Sequence, residues 1–289
     1  MVVTPEAEDA VSELFHTIFE QPPVAFVDLE KKIGVISVYL PEKKKATKKQ
    51  LDRVREGLLF IGECGLEVGA GEIHQRFVKK ADWLESWKKH FVPLDIGGRL
   101  LIKPSWEKRK AAKGAHEIIL DPGISFGTGH HATTGFCLEQ LVAHRDEETK
   151  QSFLDIGTGS GILAIGAAKL GYGPIVCYDF NADSVRSARE NVERNKVADA
   201  VHPTRRDLTR EPLDTARKYN VVCANLIYDL LTAERERLTN RVRPEGILVL
   251  AGILETQFAK VRRAFVSMGM KLIESKVEGE WMSGAFRWK

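Results

Sequence analysis

The sequence predicts an α/β protein in which a doubly wound, mostly parallel sheet follows a small N-terminal α+β domain. Its 289 residues suffice for two domains. From residue 118 onward, short apolar strands alternate with amphipathic helices, which is typical of a parallel sheet covered by helices on both faces. The first 80 residues follow a different order, with helices on either side of a strand pair, and this predicts a separate fold.

Two helices and three strands are predicted in the N-terminal domain from the spacing of apolar residues. The helices are expected over residues 7–20 and 47–61, two short strands within 24–40 around the turn at 30–32, and a further strand over 72–78. Thr47 is a good N-cap for the second helix. This order predicts a small α+β sandwich of the ferredoxin-like kind whose first strand is weak or missing, since only Val2 and Val3 are available for it.

A connecting region is predicted between the two domains. Asp82 can cap a helix that runs to about residue 90, and residues 94–106 are expected to form a turn and a strand that ends at Pro104. The charged segment 107–117 is expected to be a loop. We therefore predict a first domain over 1–80, a linker helix and strand over 81–117, and a second domain over 118–289.

The second domain is predicted to contain five strands of a parallel sheet. A strand, glycine loop and helix are expected over 153–171, a strand and helix over 174–195, further strands over 201–208, 220–226 and 246–254, and helices over 228–240 and 255–268. The apolar residues 118–120 and a glycine-rich loop that runs into a helix precede them. Trp281 is expected in a terminal strand.

The charge balance limits the partners that the sequence supports. Its 43 Lys and Arg residues against 40 Asp and Glu residues give a net charge of +3, which offers no global case for nucleic-acid binding. Residues 31–119 carry 20 basic against 11 acidic side chains. Electrostatic steering of a partner is therefore expected from the first half of the chain.

The cysteines and the N-terminal segment predict a cytoplasmic protein. The four cysteines are scattered and show no CxxC spacing, which fits a reducing compartment. The first residues lack the basic and apolar segments of a secretory signal. No apolar run reaches the ~18 residues that a membrane span needs, so we expect no membrane partner.

The strongest functional signal is a glycine loop between two acidic strand ends. Asp155 is followed by Gly157, Gly159 and Gly161, and Asp179 ends the next predicted strand. Spaced glycines after a strand let backbone N–H groups approach a ligand at a helix N-terminus. A carboxylate at the end of the next strand can accept hydrogen bonds from both hydroxyls of a ribose.

Two ligand classes compete for this loop. From Gly159 onward the chain also satisfies the G-x-G-x-x-A fingerprint of dinucleotide binding. Asp155 would oppose the negative pyrophosphate of a dinucleotide, whereas it would attract the ammonium and sulfonium groups of S-adenosylmethionine. We therefore favour S-adenosylmethionine, with a simple capping role for Asp155 as the alternative.

A second glycine-rich loop begins near Phe126 and runs into the predicted helix at Thr133 and Thr134. Such a loop is able to lie over a ligand, and either threonine can cap the helix and offer a hydroxyl group. The adjacent His130 and His131 suggest a metal, but no third ligand has suitable spacing. We predict no metal site.

A third signal lies at the end of the fourth predicted strand. Asn225, Leu226, Ile227 and Tyr228 resemble the Asn-Pro-Pro-Tyr signature of enzymes that methylate amino groups of bases or glutamine, with both prolines replaced. An asparagine at this sheet edge can accept a hydrogen bond from a substrate amine. The alternative is a helix N-cap without a catalytic role.

Several segments together resemble the bacterial methyltransferase family that modifies ribosomal protein L11 of the large subunit. The resemblance covers about residues 83–289. Its segments are WKKHFVPLDIGGRLLIKPSWE, LDPGISFGTGHHATTGFCLEQL, FLDIGTGSGILAIGAAKLG, CANLIYDLL and LVLAGILETQ. It implies a Rossmann-like class I methyltransferase fold and methylation of lysine side chains and the α-amine of that ribosomal protein. It also implies that the N-terminal domain recognises the protein substrate.

The motif positions and the resemblance together define the expected site. The predicted cofactor-binding residues are Phe126, Thr134, Asp155, Gly157, Gly159, Asp179 and Asn225. Asn225 is also the predicted catalytic residue, as a group that orients the amine. The expected cofactor is S-adenosylmethionine, and the expected partner is a protein, with no requirement for nucleic acid.

Four other functions remain open at this point. A related class methylates lysines of an electron-transfer flavoprotein subunit and shares much of the catalytic pattern. An RNA or DNA methyltransferase is compatible with the basic segment 31–119. An NAD(P)-dependent oxidoreductase would need a catalytic Tyr-Lys or His pair, which we do not find in register. An inactive adaptor would not need the intact glycine and acidic motifs.

Overall fold

The computed structural model of the protein describes residues 1–21, 23–28, 33–40, 45–69, 71–75, 92–121 and 132–289. The chain divides into two compact units, residues 1–86 and residues 87–289. The turn expected at 30–32 and the helix expected from Asp82 lie outside the described residues. Residues 72–75 form no strand, and the rest of the strand expected over 72–78 lies outside the described part. The domain boundaries at 80 and 117 stay predictions.

The first unit contains a three-stranded antiparallel sheet in the order β1-β3-β2 and two helices. Its elements are β1 (Val2–Val3), α1 (Glu8–Phe19), β2 (Val24–Asp28), β3 (Ile33–Ser37) and α2 (Lys48–Glu63). Helices and sheet share one apolar core that includes Val11, Phe15, Ile36, Val54 and Ile61. Both predicted helices and the strand pair are confirmed, and the first strand, expected to be weak or missing, is present as two residues paired with β3.

Helix α2 begins at the predicted cap. The Thr47 hydroxyl oxygen accepts a 3.2 Å hydrogen bond from the Gln50 backbone N–H, and the Gln50 side chain accepts a 2.9 Å bond from the Thr47 N–H. This reciprocal pair satisfies two backbone donors that a helix start would otherwise leave without partners.

A small sheet opens the described part of the second unit. Its strands are β4 (Leu94–Ile96), β5 (Leu100–Lys103) and β6 (His116–Ile119), in the order β4-β5-β6. Pro104 follows β5, as predicted. Leu100, Ile102 and Ile118 are buried in the same apolar core as the helices that follow the glycine loops. The predicted linker strand is therefore part of this unit's core, and the segment 107–117 is a loop only as far as residue 115.

The second unit is built on a seven-stranded sheet. Its strands are β7 (Phe153–Ile156), β8 (Ile175–Asp179), β9 (Thr204–Arg205), β10 (Tyr219–Asn225), β11 (Val242–Leu254), β12 (Met270–Glu278) and β13 (Trp281–Trp288). They lie in the order β12-β13-β11-β10-β7-β8-β9. All neighbouring pairs from β9 to β11 are parallel, and the two pairs made by β13 are antiparallel. The predicted doubly wound, mostly parallel sheet is confirmed.

Helices cover both faces of this sheet. They are α3 (Ala132–Ala143), α4 (Ile162–Lys169), α5 (Ala182–Arg194), α6 (Tyr228–Ala233), α7 (Arg235–Thr239) and α8 (Glu255–Ser267). Strand β7 shows the two-sided burial directly, because Phe153 belongs to the core formed with α3 and α4, whereas Leu154 belongs to the core formed with α8. Continuous apolar strands of this kind are expected in a parallel sheet.

Three details of the second unit differ from the sequence prediction. The strand expected over 201–208 is only two residues long, and Pro203 before it has no N–H for the strand ladder. The helix expected over 228–240 is two short helices that meet at Glu234. Strand β12 was not predicted, because most of its side chains are exposed and it carries little apolar alternation. Trp281 does begin the terminal strand.

In the part of the chain that the structure describes, no helix is both long and apolar enough to cross a membrane.

Candidate active site

The predicted site residues on β7, β8 and β10 lie at one edge of the sheet. Asp155 is the penultimate residue of β7, Asp179 is the last residue of β8, and Asn225 is the last residue of β10. Strand β7 pairs in parallel with both neighbours, so their carboxyl ends meet at the same edge. This is the edge at which ligands bind in open α/β sheets. Phe126 lies outside the described residues.

The glycine loop (residues 157–161) has the backbone conformation that its sequence predicts. Gly157, Gly159 and Gly161 have φ values of +74°, +53° and +82°, in the left-handed region that side chains disfavour. Gly161 is the N-cap of α4, so the loop delivers the chain directly to a helix N-terminus. The backbone N–H groups of Gly157 and Thr158 both donate to the Tyr178 carbonyl oxygen at 3.0 Å, which ties the loop to β8.

Asp179 holds the loop from the neighbouring strand. One carboxylate oxygen accepts a 3.0 Å hydrogen bond from the Gly159 N–H, and the other accepts a 2.9 Å bond from the Asn181 N–H. Each carboxylate oxygen can accept more than one hydrogen bond, so both retain capacity for a ligand. The next residue, Phe180, leaves 69% of its surface exposed. Phe180 was not predicted from the sequence, although it directly follows the acid at a predicted strand end.

Asp155 is fully buried beneath the glycine loop. Its Oδ2 atom accepts a 2.6 Å hydrogen bond from the Thr158 hydroxyl group, whereas its Oδ1 atom has no hydrogen-bond partner among the described residues. Burial raises the pKa of Asp155 to about 7, and the nearby negative charge of Asp179 adds to the rise, against the lowering effects of the Thr158 hydroxyl group and the Ala164 backbone N–H. A cation placed at Oδ1 would reverse this shift.

Asn225 is linked to the helix that follows the second glycine-rich loop. Its Nδ2 group donates to the Thr133 hydroxyl oxygen at 3.3 Å, and Thr133 is buried in the first turn of α3. Thr134 is buried beside it, and its role as a cofactor contact stays a prediction. The sequence offered both threonines, but only the fold could show which of them bonds to Asn225.

Two oxygen atoms at the end of β10 accept no hydrogen bond from the rest of the described chain. They are the Leu226 carbonyl oxygen and the Asn225 Oδ1 atom. We call these two atoms the acceptor pair. Leu226 was noted in the sequence only as a replacement for proline, because a backbone carbonyl leaves no signal in a sequence.

Other catalytic chemistries find little support at this edge. No group of three metal-ligating side chains occurs within the described residues, and His130 and His131 lie outside them. Burial raises the pKa of Cys177 to about 12 and that of Cys223 well above its usual range. Neither thiol is therefore ionised at neutral pH, and a thiolate nucleophile is the reactive form that cysteine catalysis needs.

The burial of Asp155 predicts a specific pH dependence of stability in the ligand-free protein. Its folded-state pKa of about 7 lies above the ordinary 3.8, so the folded state holds the proton more tightly between these two pH values. The free energy of unfolding should therefore fall as the pH rises through this window and level off above it. A shift of this size corresponds to at most about 4 kcal/mol.

The Asp155→Asn variant should lack this fall, because its amide does not ionise while its oxygen can still accept from Thr158. Urea unfolding of both proteins at pH 5 and pH 8 measures the difference. Equal pH dependence in the two proteins would show that Asp155 is not the group responsible.

Comparisons with known proteins identify the family of this chain. A family model described as ribosomal protein L11 methyltransferase (PrmA) matches residues 3–289. A protein of that name from Alkaliphilus oremlandii is 36% identical over 258 residues, which cover 89% of this chain and 80% of the relative. Another from Geotalea daltonii is 42% identical over 210 residues, which cover 69% of this chain and 65% of the relative.

A solved structure agrees as well. The ribosomal protein L11 methylase from Lactobacillus delbrueckii subsp. bulgaricus superposes with a TM-score of 0.61 at 27% identity, covering 68% of this chain and 98% of that one. These matches confirm the predicted fold class, the predicted enzyme class and S-adenosylmethionine as the methyl donor, and they do not favour the alternative functions. The chain belongs to the ribosomal protein L11 methyltransferase family.

Proposed function

We propose that this protein transfers methyl groups from S-adenosylmethionine to amines of ribosomal protein L11, on lysine side chains and on the α-amine. The observation that carries the proposal is the acceptor pair at the end of β10, which lies at the same sheet edge as the glycine loop and the two acidic strand ends. The substrate is that of the relatives, whose names state it.

The residues at this edge fit the methyl donor. Asp179 would accept from the ribose hydroxyls, and the glycine loop, with Gly157 and Gly159, would let the backbone approach the ligand closely. The unpartnered Oδ1 atom of Asp155 supplies a buried acceptor beneath the loop, suited to a cation. We also assign Thr134 and Asn225 as cofactor contacts.

Two further side chains would complete the cofactor site. The family resemblance and the second glycine-rich loop support Phe126 as a residue over the ligand. Phe180 offers an exposed aromatic face immediately after Asp179, which suits a flat adenine ring. An aromatic surface of this kind gains free energy when a base covers it.

The charge at this edge distinguishes S-adenosylmethionine from a phosphate-bearing cofactor. Asp155 and Asp179 are both buried at the loop, and no described Lys or Arg forms an ion pair with either of them. A pyrophosphate would add negative charge beside these carboxyl groups, whereas a sulfonium and an ammonium group would compensate them. The electrostatic balance therefore supports the sulfonium compound.

When bound, S-adenosylmethionine supplies an activated methyl group on a positively charged sulfur atom, and the protein mainly positions the amine. A free lysine amine has a pKa of about 10.4 and must lose a proton before its lone pair can attack. Removal from water and the nearby positive charge both favour that loss.

The acceptor pair would orient the neutral amine. The two N–H groups of a neutral lysine amine can donate to Asn225 Oδ1 and to the Leu226 carbonyl oxygen, which directs the lone pair away from both acceptors. An amide oxygen is not a general base at neutral pH, so we assign Asn225 an orienting role. The Thr133 bond to Nδ2 keeps the amide oxygen free for this purpose.

The first unit would recognise the protein substrate. This assignment comes from the family resemblance and from the basic balance of residues 31–119. Helix α2 exposes Arg53 and Arg55 together with the apolar side chains of Leu59 and Phe60, which are 70% and 65% exposed. A mixed basic and apolar surface of this kind suits a protein partner.

The substrate assignment has a direct test. Purified ribosomal protein L11, an electron-transfer flavoprotein subunit and ribosomal RNA are incubated separately with the enzyme and methyl-labelled S-adenosylmethionine. We expect label in the lysines and the α-amine of L11, located by mass spectrometry. Label in either other substrate, with none in L11, would overturn the proposed function.

Asp179→Ala should weaken S-adenosylmethionine binding about 10- to 100-fold, because a hydrogen bond to a charged group contributes about 1.5–3 kcal/mol. Calorimetric titration measures the dissociation constant. Asp183→Ala is the matched control, since this acid lies four residues later and is largely exposed, with 76% side-chain exposure. An unchanged affinity in Asp179→Ala would remove the ribose assignment.

Asn225→Ala should lower kcat for L11 methylation about 10²-fold, because the amine loses one of its two orienting acceptors. Single-turnover assays with saturating cofactor measure the chemical step. Asn240→Ala is the control, because Asn240 precedes β11 at the opposite edge of the sheet. Wild-type turnover in Asn225→Ala would exclude this residue from the mechanism.

A further inference from the structure

The acceptor pair lies near two glycines, Gly157 and Gly252, which belong to different sequence motifs. Strand β10 pairs on one side with β7, through Ala224 and Ile156, and on the other side with β11, through Asn225 and Ala251. The next residues of β7 and β11 are Gly157 and Gly252. Strand register therefore places Gly252 beside Leu226 and Gly157 beside Asn225, and the Leu226 side chain reaches back to Gly157.

Gly252 leaves no room for a side chain. A Cβ atom at this position would lie 2.6 Å from the Leu226 carbonyl oxygen and 2.9 Å from Asn225 Oδ1. These are the two atoms of the acceptor pair, and both distances are shorter than real Cβ contacts. Gly252 also has a φ of +80°, and the pairing of β11 with β13 shifts register between Leu250 and Ile253. Gly252 therefore lies within the irregular part of β11, where a bulge accommodates a left-handed residue.

Gly157 contacts Leu226 from the side of β7. A side chain at Gly157 would be tolerated more easily than one at Gly252. A Cβ atom there would lie 2.4 Å from Leu226 Cδ2. That atom is the far end of a flexible side chain, which can rotate or be shortened. The Leu226 carbonyl near Gly252 belongs to the backbone and has no such freedom, so Gly252 is the stricter of the two positions.

The backbone after Asn225 needs contacts with the neighbouring strands because its own residues do not fix its conformation. In an Asn-Pro-Pro-Tyr segment, the proline rings fix the backbone after the asparagine. Leu226 and Ile227 impose no such limit. The direction of the Leu226 carbonyl is held instead by the bond from its N–H to the Ala251 carbonyl oxygen, at 3.1 Å, and by close packing on Gly252.

We propose that Gly252 is a positioning residue for methyl transfer and that Gly157 assists it. The absent side chain of Gly252 lets Asn225 Oδ1 and the Leu226 carbonyl oxygen converge on one amine. The inference rests on the proposed function, since it concerns how that site receives its substrate.

The first experiment compares Gly252→Ala with the wild type in L11 methylation and in cofactor binding. A displaced acceptor pair should lower kcat about 10²-fold, since reacting groups misplaced by 1 Å lose about that much. The KM for L11 should change less than threefold, and so should the dissociation constant of S-adenosylmethionine.

Gly279→Ala is the matched control. Gly279 has a φ of +62° in the turn before β13, with nothing within 4 Å of an added Cβ, so it imposes similar backbone strain away from the site. Its kcat should equal that of the wild type. A wild-type kcat in folded Gly252→Ala would overturn the inference, whereas a wild-type enzyme inactive on L11 would overturn the proposed function.

A double-mutant cycle of Gly157 and Leu226 tests the inference through its second glycine, even if Gly252→Ala does not fold. Gly157→Ala should lower kcat by pressing on Leu226, and adding Leu226→Ala should recover part of that loss at saturating S-adenosylmethionine, because the shorter side chain removes the clash with the added Cβ. Additive losses in this cycle would show that Gly157 does not act through Leu226, and would overturn the inference.

Discussion

A buried carboxyl group beneath the glycine loop is the constraint on which the rest of the site depends. Asp155 is fully buried, and its Oδ1 atom has no hydrogen-bond partner among the described residues. Such a group is costly to ionise unless a cation lies beside it. The ligand-free protein therefore favours the protonated form of Asp155 below its pKa of about 7, and a cationic ligand favours the charged form.

The parallel sheet turns this local constraint into an active site. Neighbouring parallel strands bring Asp155, Asp179 and Asn225 to one edge although 70 residues separate the first from the last. Asp179 then holds the loop through Gly159, and Thr133 holds Asn225 from α3. Asp179 and Asn225 are thus each bonded to a second element, which is the preorganisation that a positioning enzyme needs.

The sequence revealed those parts of the site that are encoded locally. A strand that ends in an acid and spaced glycines is a local pattern, so the strand-end positions of Asp155 and Asp179 could be predicted from spacing. Asn225 was found in the same way, as a polar residue at the end of an apolar strand. The two α-helices of the first unit and the Thr47 cap likewise follow from short-range periodicity and capping chemistry.

The remaining features depend on contacts between distant parts of the chain. The importance of Gly252 comes from the register of β10 against β11 and from a bulge opposite β13, neither of which leaves a local pattern. The Thr133 bond to Asn225 spans 92 residues. The small sheet β4-β5-β6 is part of the second unit's core because Leu100 and Ile118 pack against helices that lie well after them in sequence.

Proton release on cofactor binding tests the central role of Asp155 most directly. Calorimetric titrations of S-adenosylmethionine at pH 6.5, in two buffers of different ionisation enthalpy, report the number of protons released. The wild type should release more than half a proton beyond the Asp155→Asn variant, because the bound cation lowers a pKa of about 7. Equal proton release from the two proteins would contradict the account.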